Sequence, residues 1–284
     1  MKPSWAIVWS AFQMRLKMDL RILETLVLCL AAHSASFAAV LHQETGFLDR
    51  AVTVRGVEYR YEVYVPRDYD PRRVWPIILA LHGGGDYGSD GIRPTVGALA
   101  KAIRLHPDRF PAIVVFAQAH ADGTPGWQRA GGEAALAEVD KALTEFHGDS
   151  SRIYLTGYSA GANGAWFLAY HYPNRFAALV VISGFVSDFT GRQSHVFYPA
   201  IAPATAPDRY AAIAQQLKSL PIWIFHGDAD ENVSVEESRH MVAALRVLSA
   251  NVRYTELSGV DHNAWDPAYD NAEMVAWLLT QRHH

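Results

Sequence analysis

The sequence predicts an α/β fold: a mostly parallel central sheet that opens with an antiparallel hairpin and carries helices on both faces. Three observations lead there. Five short runs (77–81, 113–117, 153–156, 178–182 and 222–225) are almost entirely apolar, the texture of strands buried on both sides. Helical stretches alternate with these runs, and short right-handed crossovers then build a doubly wound parallel sheet. The first strand-like segments differ, because 57–65 alternates between apolar and polar residues. Arg55-Gly56 separates it from 51–54 as a tight turn would.

The elements follow in order. Arg15, Lys17 and Arg21 precede the apolar stretch 26–32, and Ser34-Ala35-Ser36-Phe37-Ala38-Ala39 comes next. That order is the one an export signal uses, so residues 1–38 are expected to be removed after Ala38. Periplasmic or secreted localisation follows as an expectation. Residues 39–284 are then expected to form a single α/β domain. Pro66 ends the hairpin and Trp75-Pro76 leads into the strand at 77–81. Helices are expected over 95–105, 133–146, 161–172, 235–248 and 271–279, with a further strand at 252–256. The stretch 185–206 is irregular and rich in Ser, Thr, Pro and aromatics. It falls between two sheet strands, at the edge where such folds bind ligands, and is expected to act as a lid or pocket wall.

Composition narrows the function. Charged residues are 19% of the 284 and hydrophobic ones 50%, too apolar for a disordered chain. A formal net charge of −4 offers no basic footprint for nucleic acid. No uninterrupted apolar run is long enough to span a bilayer, so no stable membrane insertion is expected. Cys29 is the only cysteine and lies within the expected signal, which excludes an intramolecular disulfide framework.

Gly157-Tyr158-Ser159-Ala160-Gly161 carries the strongest chemical signal. It follows a strand and opens a helix, the setting in which a sharp turn presents a serine as nucleophile. The helix N-terminus behind Ser159 favours developing negative charge. A serine hydroxyl needs a base, and the base needs an orienting acid. Asp230, in the loop after strand 222–225, is the expected acid, with Asp228 as the alternative and Asp188 a distant third. His262, after strand 252–256, is the expected base; His240 falls inside a helix, and His283 and His284 are terminal. Gly84, in Leu81-His82-Gly83-Gly84-Gly85, and Ala160 are expected to supply backbone N–H donors to an oxyanion, with Gly85 an alternative to Gly84. Trp127, Phe185, Phe197 and Trp265 are candidate pocket-wall residues. His82, His226, Asp228, Asp230 and His262 could in principle gather around zinc. Without HExxH or a Cys ligand, no metal and no other cofactor is expected.

Together these motifs resemble the α/β-hydrolase superfamily from about residue 49 to residue 281. Within it the chain is similar to bacterial serine esterases of the predicted-peptidase and phospholipase/carboxylesterase-like group, which overlaps feruloyl esterases and polyhydroxybutyrate depolymerases. The resemblance rests on Trp75-Pro76, the 157–161 turn extended to Gly164 and Trp166, Tyr172-Pro173-Asn174-Arg175-Phe176, His226-Gly227-Asp228-Ala229-Asp230, and the run from His262 to Tyr269. Two residues depart from that group: Ala160 stands where Met or Gln is common, and Ala162 where Gly is frequent. The resemblance implies Ser159, Asp230 and His262 as a triad and a small-molecule ester as substrate. The expected activity is hydrolysis of short-chain or aryl esters, including feruloyl-type ones, through an acyl-enzyme. The alternative is a serine peptidase or amidase of prolyl-oligopeptidase-like type. A non-catalytic binding protein with a relict triad is a third reading, which the intact Ser, Asp and His argue against.

Overall fold

The computed structural model describes residues 44–121, 126–191 and 195–283. The expected signal over 1–38 and His284 lie outside the described residues. Strands β1 (Gly46–Val54) and β2 (Val57–Val65) form the opening hairpin. Its turn residues Arg55 and Gly56 have φ of 52° and 80°, the paired left-handed conformation that matches strand twist in a two-residue turn.

The main sheet continues with β3 (Trp75–Leu81), β4 (Ile113–Ala117), β5 (Gly148–Tyr158), β6 (Ala178–Ile182), β9 (Ile222–Gly227) and β10 (Val252–Leu257). The spatial order is β1-β2-β4-β3-β5-β6-β9-β10. β2 runs antiparallel to β4, and every pairing from β4 to β10 is parallel. Between β6 and β9 lie β7 (Phe189–Thr190) and β8 (Phe197–Tyr198), a separate short ribbon inside the irregular stretch.

Strand alternation divides the core between the two faces. Ile77, Leu79, Val115, Leu155, Val181 and Ile224 pack on one side, whereas Ile78, Val114, Tyr154, Val180 and Phe225 pack on the other. Consecutive residues point to opposite faces of a strand, so both sets must be apolar when both faces are covered. On the first side the sheet is covered by α2 (Ala130–Glu145), α3 (Ala160–His171), α4 (Arg209–Leu217) and α5 (Glu236–Val247). Helices α1 (Ala98–Leu105), α6 (Trp265–Asp270) and α7 (Ala272–Thr280) cover the second.

Differences from the expected elements have local causes. Helix α1 starts at Ala98 rather than residue 95, because Arg93–Thr95 forms a 3₁₀ turn and Ala98 itself has φ of 45°. Helices α4 and α6 were not anticipated. The first is capped by Asp208, whose side chain accepts from the Ala211 N–H at 3.0 Å. The second is only six residues long and contains Pro267, too short and too interrupted to show a period.

Glu138 on α2 is fully buried, and among the described residues neither of its carboxyl oxygens has a hydrogen-bond partner; the Tyr61 hydroxyl is equally orphaned. Burial holds Glu138 well above the usual carboxylate range, so it keeps its proton in the fold and releases it on unfolding. When the folded state binds more protons than the unfolded one, stability falls as pH rises. Glu138→Leu removes both the orphan carboxyl and this linkage. It is expected to stabilise the protein by about 1–3 kcal/mol, with a larger gain at about pH 8 than at about pH 5. Urea unfolding of both proteins at the two pH values measures it.

Candidate active site

Ser159 sits between the end of β5 and the first residue of α3, with φ 53° and ψ −120°, a conformation that costs a residue bearing a Cβ about 1–3 kcal/mol. Surrounding contacts enforce it. The Ser159 N–H donates to the Ile182 carbonyl at 3.0 Å, and the Asn163 N–H donates to the Ser159 carbonyl at 3.1 Å. A Cβ on Gly161 would lie 2.1 Å from the Leu81 carbonyl oxygen, and one on Gly157 would lie 2.3 Å from that of Gly161. Only glycine lets strand, turn and helix approach so closely.

Two loops at the same sheet edge bring the partners. The turn after β9 carries Asp230, and the loop after β10 carries His262. They are locked together: a Cβ on Gly227 would meet the Val260 carbonyl oxygen at 2.1 Å, and the Ala229 N–H donates to that carbonyl at 3.1 Å. Asp228 serves this lock, accepting from the Gly259 N–H at 2.6 Å. The Ser183 hydroxyl donates to the His262 carbonyl at 2.9 Å and fixes the loop against β6.

The side chains line up. His262 Nε2 is 2.9 Å from Ser159 Oγ, and His262 Nδ1 is 2.7 Å from Asp230 Oδ2. A carboxylate oxygen cannot donate, so Nδ1 carries the imidazole proton and Nε2 offers its lone pair to the serine hydroxyl. The Asp230 side chain is fully buried and that of His262 is 17% exposed. Burial alone would raise the Asp230 pKa. Hydrogen bonds from His226, His262 and the Val233 N–H outweigh it and hold the carboxyl well below its usual range. Asp230 is therefore an anion throughout the pH range in which an imidazole titrates.

Opposite the imidazole, the loop after β3 is pinned against the serine turn. A Cβ on Gly83 would lie 2.7 Å from the Tyr158 ring and 3.5 Å from Ser159 Cβ. His82 is buried; its Nδ1–H donates to the Gly83 carbonyl at 2.7 Å, and its Nε2 accepts from the Ala119 N–H at 3.1 Å. Burial pushes its pKa down to about 4, so it is a neutral strut. The Tyr158 hydroxyl donates to Asp86 at 2.5 Å and ties the far end of the glycine loop to the serine turn. Gly84 opens a 3₁₀ turn and Ala160 opens α3, positions where backbone N–H groups lack intrahelical partners. Both residues face the same cleft as Ser159 and His262. The cleft measures about 590 Å³ and is walled by Tyr158, Phe185, Phe189, Tyr198 and Trp265.

The sequence model of the prolyl oligopeptidase family (Peptidase_S9) matches residues 120–282. The chain belongs to the prolyl oligopeptidase family. A crystal structure of a thermostable esterase is similar to this family member at 29% identity, with a TM-score of 0.68 over 83% of this chain and 63% of that one. The shared architecture is the α/β-hydrolase fold. Acetylxylan esterase A from Emericella nidulans is 31% identical over 104 residues, which is 32% of this chain and 34% of that protein. An uncharacterized secreted protein from Arthroderma benhamiae is 24% identical over 207 residues, 66% of this chain and 21% of that one. The chain thus spans about a fifth and a third of the curated relatives it matches.

Of the expected site residues, this family member brings Ser159, Asp230, His262, Gly84 and Ala160 to one cleft, with Phe185 and Trp265 in its wall. Two candidates are elsewhere. Trp127 is buried behind the glycine loop, donating from Nε1 to the His82 carbonyl at 3.1 Å and filling the space left by Gly164. It supports the loop and does not wall the cleft. Phe197 is 54% exposed and Tyr198, its neighbour in β8, takes the inward place, since adjacent strand residues face opposite ways. Asp188 is bound to Arg209 and the Ala200 N–H, away from His262. Phe189, Tyr198 and Tyr158 were not singled out by sequence; aromatic composition at 185–206 was the available signal.

Proposed function

We propose that the protein is a serine carboxylic-ester hydrolase that acts through an acyl-enzyme on short-chain or aryl esters. One observation carries this reading: the unbroken hydrogen-bonded row Ser159–His262–Asp230 ends on an aromatic cleft that also receives Gly84 and Ala160. In the proposed reaction His262 Nε2 takes the Ser159 proton as Oγ bonds to the ester carbonyl carbon. The oxyanion rests on the N–H groups of Gly84 and Ala160 while Asp230 stabilises the imidazolium. The carbon–oxygen bond to the alcohol breaks, and His262 returns the proton to the departing alkoxide. Water, deprotonated by the same imidazole, then releases the acid and restores Ser159. No cofactor enters these steps.

A cleft of about 590 Å³ lies within the range of small-molecule sites and suits a compact acyl or aryl group. The esterases among the similar proteins favour ester over amide as substrate. The family match favours the second reading, a peptidase or amidase using the same row. Residues Thr45–His284 form one compact unit, which we take as the catalytic domain, with 185–206 as pocket wall. Among the described residues no helix is long and apolar enough to cross a membrane. The order of residues 15–39 and the similarity to a secreted protein support export.

Fluorophosphonate labelling combined with p-nitrophenyl esters, from acetate to laurate plus ferulate, and with matched p-nitroanilides tests the proposal. Labelling at one serine is expected, together with ester turnover that favours short or aryl acyl groups and exceeds anilide turnover. Labelling with anilide cleavage and no ester cleavage would establish the second reading, and a folded protein that neither labels nor turns over any substrate would sink both.

A further inference from the structure

The acid of the proposed site has a second histidine. Asp230 Oδ2, the oxygen that receives His262 Nδ1, also lies 3.2 Å from Nε2 of His226, a fully buried residue near the end of β9. The other oxygen, Oδ1, accepts from the Asn232 and Val233 N–H groups at 2.8 and 2.9 Å. Asp230 therefore faces four donors, of which two are imidazoles competing for one oxygen.

The proton on His226 can be placed from its neighbours. Its Nε2 faces two oxygens that can only accept, Asp230 Oδ2 and the Val233 carbonyl at 3.1 Å, so Nε2 must carry a hydrogen. Its Nδ1 is 2.7 Å from Oγ of Ser238, a buried residue on α5 whose hydroxyl can donate to it. Two polarised rows meet at Asp230: Ser238 O–H to His226 Nδ1 and His226 Nε2–H to Asp230 on one side, and Ser159 O–H to His262 Nε2 and His262 Nδ1–H to Asp230 on the other. The other charged groups nearby are Asp261, whose Oδ1 accepts from the His262 and Glu231 N–H groups at 2.7 and 3.1 Å, Glu256, the register partner of His226 on β10, and Arg239 on α5, which binds both oxygens of Glu256 at 2.6 and 3.0 Å. Glu237, beside Ser238, turns instead to Ser187, the Val186 N–H and Tyr210.

We propose that His226, polarised by the Ser238 hydroxyl at its Nδ1, is a positioning residue for the serine chemistry: it aims Asp230 Oδ2 at His262 and draws off part of the charge that His262 feels. The inference rests on the catalytic roles given above to Ser159, His262 and Asp230. It has two consequences. Without the second donor Oδ2 is held less firmly in line with His262 Nδ1, and serine reactivity falls. The undivided carboxylate charge also favours the His262 cation, so the acid limb of the pH profile moves to higher pH.

The test is the rate constant of fluorophosphonate labelling against pH, for wild type, His226→Leu, His226→Gln and Ser238→Ala, with thermal unfolding of each. His226→Leu is expected to label about 10- to 100-fold more slowly, the scale of loss seen when the partner that orients a metal-bound side chain is removed, with an acid limb shifted upward. His226→Gln can donate to Asp230 through its amide N–H and accept from Ser238, so it is expected to recover most of the rate and the wild-type limb. Ser238→Ala, which removes little volume, is expected to shift the limb in the same direction as His226→Leu and covers the case in which the leucine variant does not fold. Wild-type rates and limbs in Ser238→Ala and in a folded His226→Leu would overturn the inference, as would a His226→Gln no better than the leucine variant. A wild type that never labels would instead refute the proposed function.

Discussion

Ser159→Ala is expected to lower kcat/KM for p-nitrophenyl acetate by about 10⁶-fold, and Asp230→Asn by about 10⁴-fold. The first removes the hydroxyl that His262 Nε2 reaches at 2.9 Å, so no acyl-enzyme forms and fluorophosphonate labelling disappears. The second leaves shape almost unchanged but reverses chemistry. An amide can place an N–H where the carboxylate accepted from His262 Nδ1, so the imidazole turns to the tautomer whose Nε2 carries a proton and cannot take one from serine. Removing several members of such a unit costs little more than removing one, so the double variant is expected to match Ser159→Ala. Steady-state kinetics of the three variants, with unfolding curves to show that each is folded, make the measurement. An Asp230→Asn enzyme within tenfold of wild type would return the acid's role to Asp228.

Gly161→Ala is expected to destabilise the fold by about 3–5 kcal/mol, near the top of the range for single substitutions. The added methyl would stand 2.1 Å from the Leu81 carbonyl oxygen and 2.5 Å from that of His82, and both are backbone atoms at the end of a central buried strand. Neither can move without pulling the 83–85 loop away from Ser159, so activity is expected to fall along with stability. Gly85→Ala is the control, because a Cβ there meets nothing within 4 Å. It is expected to fold like wild type. Urea unfolding separates the two, and equal midpoints for Gly161→Ala and wild type would show that the turn tolerates a side chain.

The parallel sheet was readable because its signal is local. Every residue of Ile113–Ala117 and Ala178–Ile182 is buried, and an all-apolar run of that length can be nothing else in a sheet covered on both faces. The serine turn was readable for a similar reason in part: Gly157 answers a steric demand made within five residues, by the Gly161 carbonyl, whereas Gly161 answers one made by the distant Leu81 carbonyl. Helix α6 was hidden by its length and by Pro267, and the inward role of Tyr198 by the parity of a two-residue strand, which no pattern can set. Trp127 looked like a pocket aromatic in a loop, and only packing shows it under the glycine loop with its N–H bound to His82.

The residues themselves determined the strand–helix alternation and the placing of Ser159 between a strand and a helix, because each depends on neighbours within a few positions. What stands beside what was decided by the tertiary structure. Ser159 and His262 are 103 residues apart in sequence, and His262 and Asp230 are 32 apart. The parallel register of β9 with β10 brings His226 level with Glu256 and sets the two loops edge to edge, so that one carboxylate lies between two imidazoles. Hydrogen bonds act over about 3 Å, a distance that sequence spacing does not encode once the chain has crossed a helix and returned.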